Sequence, residues 1–168
     1  RGRQGLAHLD VTDHAIIKVL NENARASSAQ IARKLKISDR TVRNRINRLI
    51  KRNIIKPIAV VNPSAFGFLL AVDIFCELEM GTQEDAIASI SRMEEVSYLA
   101  YSTGEADISI QAIFKNSEEM HEFITLKLHR VPGIRRTRTV LVPRIVKETY
   151  EWVPPDHSFY LRQNEGAK

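Results

Sequence analysis

The apolar residues change their spacing once along the chain, and that change limits the fold more than any other feature. Up to about residue 52 they recur at three and four: Ile16, Ile17 and Leu20, then Ile31, Ala32 and Leu35, then Val42, Ile46, Leu49 and Ile50. That spacing is the signature of amphipathic helices. From Leu70 to Met80 the pattern becomes strict alternation, with Leu70, Val72, Ile74, Cys76, Leu78 and Met80 apolar and Asp73, Glu77 and Glu79 between them. Alternation of this kind belongs to a half-buried strand. A helical module is therefore followed by an α+β module, and 168 residues suit two small domains.

The helical module carries its own start signals. Asp10 or Thr12 can cap a helix running to Asn21, and Ser27 with Gln30 forms a capping box for a short second helix. Lys36-Ile37 makes a tight connection, and Ser38 caps a third helix ending near Arg52. Two short helices joined by so brief a turn describe a helix-turn-helix. Ile54 to Val61 is β-branched and broken by Pro57, so a wing-like ribbon or an extended linker follows.

Charge points the same way. The whole chain has 25 Lys and Arg against 20 Asp and Glu, a net charge of +5. Residues 1–56 hold fourteen of the bases and four of the acids, a net of +10, and the rest of the chain carries −5. A basic module for a polyanion joined to a mildly acidic one is the simplest reading. In the third helix no acid follows Asp39 until Asp73, so ion pairs within the helix are not expected to account for its arginines. Arg40, Thr41 and Asn44 lie near its N-terminus, where a recognition helix enters the major groove deepest, and are the expected base contacts. Arg43, Arg45, Arg48 and Lys51 are the expected phosphate contacts.

In the second module Thr82 can cap a helix, Val96–Thr103 and Ile108–Phe114 read as strands, Ser117 opens a second helix, and Arg135–Lys147 reads as a last strand. The order βαββαβ predicts a ferredoxin-like unit with two helices on one face of an antiparallel sheet. The expected architecture is thus α+β, a winged-type helix-turn-helix followed by that unit. Its parts are residues 1–56, a β linker over 57–69, the βαββαβ domain over 70–150 and a tail over 151–168.

Leu9-Asp10, Asp13 and Ile16-Ile17 are followed by Asn23-Ala24-Arg25, by Ser38 to Leu49 and by Asn62-Pro63. The most specific motifs are Thr103-Gly104-x-x-Asp107 and Val131-Pro132-Gly133-Ile134-x-x-Thr137-x-Thr139. With these residues, and with its modules in this order, the chain resembles the Lrp/AsnC family of leucine-responsive, feast/famine transcription regulators over residues 9–148. The resemblance implies a homodimer that assembles further, for example to an octamer, with an amino acid bound between subunits. It places that effector at Thr103, Gly104 and Asp107, with Pro132, Gly133 and Ile134 nearby. One position departs from the family: the residue before the acid is often aromatic there and is Ala106 here.

The resulting expectation is a sequence-specific DNA-binding regulator in the cytoplasm, with double-stranded DNA and a small effector, such as an amino acid, as partners. No cofactor, metal or membrane partner is expected. One cysteine excludes an intramolecular disulfide or a cysteine-based zinc cage, and the apolar run Ala65–Val72 is too short to cross a bilayer. An architectural DNA-wrapping protein needs the same basic helix and remains an alternative. A sirohaem-decarboxylase-like enzyme is a remoter one, because no nucleophile motif, paired carboxylates or His-x-x-x-His spacing occurs.

Overall fold

The computed structural model describes residues 9–147 together with residues 152, 154 and 155. They fall into two units, one holding the described residues up to Ala59 together with those from Lys147 on, the other Val60–Val146. Most of the expected tail lies outside the described residues.

The helical unit contains α1 (Val11–Glu22), α2 (Ser28–Leu35) and α3 (Asp39–Lys51). Asp10 caps α1 by accepting from the amides of Thr12 and Asp13, and the Asp13 carboxylate returns to the Asp10 amide. Ser27 and Gln30 form the reciprocal box on α2, and each such cap is worth about 1 kcal/mol. Lys36 ends α2 in the left-handed conformation, at φ 55°, turning the chain toward α3. Ile16, Val19, Ile31, Ala32, Val42 and Leu49 form the core, with Ile46 packed against its margin. Ile50, expected on the buried face, is exposed.

No strand forms between Lys51 and Leu70 among the described residues. A short 3-10 turn occupies Pro63–Phe66, and Ile58, Val60 and Val61 are more than half exposed or nearly so. The β-branched run has the side chains of a strand but pairs with no neighbour among the described residues, so it forms an irregular connection, the linker alternative and not a wing-like ribbon.

The second unit contains β1 (Leu70–Leu78), α4 (Gln83–Ile90), β2 (Val96–Tyr101), β3 (Ile108–Phe114), α5 (Ser117–Glu122) and β4 (Ile134–Val142). The sheet order is β2-β3-β1-β4 with every pairing antiparallel. This is the expected βαββαβ arrangement. Val72, Ile74, Cys76 and Leu78 point into a core shared with Ala86, Ile90, Ile110, Phe114, Phe123 and Leu128. The rings of Phe114 and Phe123 lie 5.2 Å apart, tying the helical layer to β3. On the other face Asp73, Phe75 and Glu77 stand opposite Val140, Arg138 and Arg136 of β4.

Several ends differ from expectation. β2 stops at Tyr101 and β4 at Val142. The pairing shifts register between Glu77 and Leu78, β1 ends there, and Met80 is almost fully exposed. Thr82 gives α4 no side-chain cap, because its hydroxyl donates to the Glu79 carbonyl instead. After α5 the helix continues as a π turn over Phe123–Lys127 and a 3-10 turn over Leu128–Arg130. The Thr125 hydroxyl donates to the His121 carbonyl, 2.8 Å away. That is the acceptor an α-helix would offer to the Thr125 amide, and the competition favours a wider turn.

Candidate nucleic-acid interface and effector loops

The exposed side of α3 is built by its cap and its pairings. Ser38 Oγ accepts from the Thr41 amide and shares a 2.7 Å hydrogen bond with the Thr41 hydroxyl. Thr41, an expected base contact, is thus held within the helix cap and half-buried. Arg40 and Asn44 are exposed, as are Asn47 and Lys51. Arg43 pairs with Asp39 one turn earlier. That contact follows the i,i+4 rule and is the one ion pair within the helix among the described residues, so such pairs engage one arginine and do not account for the others.

Arg45 and Arg48 turn toward α1. Arg45 Nη1 donates to both carboxylate oxygens of Asp10, at 2.6 and 2.7 Å, and to Asp13 Oδ1 at 2.9 Å. Arg48 Nη2 donates to both oxygens of Asp13, at 2.7 and 2.6 Å. The Asp13 side chain is 1% exposed. A carboxylate removed from water in this way needs charged partners, and it has two. Burial alone would raise the Asp10 pKa, but the Arg45 guanidinium and the capping amides outweigh it and hold Asp10 below its ordinary value. Hydrogen bonding to Asp10 raises Arg45 in turn. Lys34 pairs with Glu22 at 3.0 Å, so each of the four acids in residues 1–56 neutralises a base of the same unit. The arginine partners of Asp10 and Asp13 are not legible in the sequence, because these acids pair across helices; Asp10 signals itself there only as a cap, and Asp13 only as one of few acids among many bases.

The two expected effector turns meet at the end of β1. Asp107 donates its amide to the Cys76 carbonyl at 2.9 Å and accepts from the Leu78 amide through Oδ2 at 2.7 Å. Gly133 accepts from the Glu79 amide at 2.8 Å. Gly104 lies at φ 116° and Gly133 at φ 89°, backbone that glycine adopts readily. A Cβ on Gly133 would sit 2.1 Å from the Thr82 hydroxyl oxygen. Thr103, Gly104 and Pro132 are exposed, while Ile134 is half-buried opposite Leu78. The Asp107 carboxylate therefore has a local role, bracing the end of β1.

Beside this end, on the bare face of the sheet, is a cavity of about 450 Å³ bordered by Phe75, Glu77, Glu105, Ala106, Arg136 and Arg138. The Arg138 guanidinium lies 4.8 Å from the Phe75 ring centre, and Glu77 pairs with Arg135 and Arg136. The small Ala106 side chain borders the cavity at the position where the family resemblance would place an aromatic ring. Cys76 is wholly buried, and burial pushes its thiol up to about 12, which suits core packing and not nucleophilic chemistry. His129 Nε2 is 2.8 Å from the Thr137 hydroxyl. Among the described residues no cluster of three His, Cys, Asp or Glu could hold a metal, and no helix is long and apolar enough to cross a membrane.

Comparison with known proteins agrees with both halves. The family model for the AsnC-type helix-turn-helix domain matches residues 9–50, and that for the Lrp/AsnC ligand binding domain matches residues 72–152. An HTH-type transcriptional regulator of Pyrococcus horikoshii is 32% identical over 143 residues, covering 84% of this chain and 90% of the relative. The HTH-type transcriptional regulator Ptr1 of Methanocaldococcus jannaschii is 33% identical over 141 residues, covering 83% of this chain and 95% of its own. A transcriptional regulator of Neisseria meningitidis, solved as a complex with L-methionine, superposes with a TM-score of 0.83 at 25% identity, covering 89% of this chain and 99% of that one.

Proposed function

The chain belongs to the Lrp/AsnC family of transcription regulators, and from that premise we propose a sequence-specific DNA-binding regulator whose second domain senses an amino acid. The observation that carries the DNA reading is the exposed side of α3, where Arg40, Asn44 and Lys51 stand without an acidic partner among the described residues. Arg40 and Asn44 are the base contacts in this reading, because Arg pairs bidentately with guanine and Asn with adenine. Arg43 and Lys51 hold phosphates. Two-fold pairing of subunits sets two such helices on half-sites about one helical turn apart.

The effector reading rests on the meeting of the two glycine turns at the end of β1. Glycine admits a ligand close to the backbone, loop amides suit a carboxylate and Asp107 suits an ammonium group. The amino acid carried by the Neisseria relative supports the same ligand class here. The dimers and octamers that the family resemblance implies would bring a second subunit to these loops, and the regulator would act on DNA in the cytoplasm without catalysis.

Competition binding tests both halves. The expected result is preference for an enriched duplex over random DNA, altered by one of the twenty amino acids. Replacing Arg40 or Asn44 with Ala should cost about 1–3 kcal/mol of that preference at one base pair. Equal affinity for both duplexes would favour the DNA-wrapping alternative.

A further inference from the structure

We propose that Asp13 is a positioning residue that withholds Arg45 and Arg48 from DNA, leaving an exposed stripe on which Arg40, Asn44 and Asn47 read bases and Lys51 holds a phosphate, with Asn47 a specificity-determining residue. The inference rests on the DNA-binding reading above and divides the recognition helix by function.

Steps of four, three and four residues along an α-helix keep side chains on one face. Arg40, Asn44, Asn47 and Lys51 follow those steps, all four are exposed, and none has an ion pair among the described residues. Arg45 and Arg48, three residues apart, occupy the neighbouring face. One carboxylate, Asp13 in the first turn of α1, grips both of them. Two contacts almost one turn apart fix the rotation of α3 about its own axis relative to α1.

Arg45 is only 24% exposed, and moving it to a phosphate would break its bonds to two carboxylates. Moving both arginines would leave the buried Asp13 charge without a partner. Their positive charges are matched inside the protein, so they release few DNA counterions on binding. Asn47 has no such engagement. Its amide presents a donor and an acceptor from the middle of the stripe, the pattern complementary to adenine N6 and N7.

The test uses the full chain, a duplex enriched by it from a random pool, and a scrambled duplex of equal length, titrated by fluorescence anisotropy across a salt series. Asn47→Ala should lower the preference for the enriched duplex about tenfold while affinity for the scrambled one stays unchanged. Arg48→Gln should leave the slope of log K against log salt as in the parent protein. Asp13→Asn, with its fold verified by circular dichroism, should steepen that slope by up to about 0.9 for each arginine released to a phosphate and weaken the preference. A merely structural aspartate would lower both affinities without changing the slope. Retained preference in Asn47→Ala, or a flattened slope in Arg48→Gln, overturns the proposal. If Asp13→Asn does not fold, the other two variants decide the question. Failure of the parent chain to bind any duplex would instead remove the DNA-binding reading itself.

Discussion

Asp10 illustrates what one side chain does when its neighbours are cationic. The Arg45 guanidinium and the capping amides favour its charged form in the folded state, so its folded pKa lies below the unfolded one. Its contribution to stability is present above the ordinary carboxylate range and is lost as pH falls through the folded pKa. With 44% of the side chain exposed, the effect is moderated by solvent. Urea unfolding of the helical unit's signal between pH 6 and 3 should show a decline that becomes shallower in Asp10→Asn. The residue scale is also where sequence reading reached least far. The partner of Arg43 was within reach, since Asp39 stands four residues before it. The partners of Arg45 and Arg48 lie more than thirty residues away, and only the packing of α1 against α3 reveals them. Helical spacing puts Asn47 on the same face as Arg40 and Asn44, but nothing in the sequence distinguishes it from Arg45 and Arg48 as a contact until their pairing with α1 is known.

At the scale of elements the order was readable throughout, because alternation and helical spacing report which face is buried. Boundaries and pairing were not. Ile54–Val61 has the composition of a strand, yet a strand requires a partner ladder, and propensity supplies none. Met80 continues the alternation of β1 beyond the point where its register breaks, so its apolar side chain is exposed. The π turn has no periodic trace in the sequence, and the one local feature that favours it is the Thr125 hydroxyl on the His121 carbonyl. Thr125→Ala should return the His121 carbonyl to the Thr125 amide and draw Phe123–Lys127 toward α-helix. Slower amide exchange across those residues would register the change, and unchanged exchange would show that the wide turn is set by packing of Phe123.

Across the whole molecule, the opposed charges of +10 and −5 coincide with two hydrophobic cores that share no residue. Truncating the wholly buried Leu49 should therefore lower one calorimetric transition, by about 2–5 kcal/mol of stability, and leave a second in place. A single transition displaced as a whole would mean that the two units unfold together. Disjoint cores also bear on descent. The two cores are built from different residues, so each half can accumulate core changes at its own pace. Under such independence a lineage can exchange the AsnC-type helix-turn-helix half while keeping the ligand-binding-domain half, or the reverse, by recombination within the connection alone.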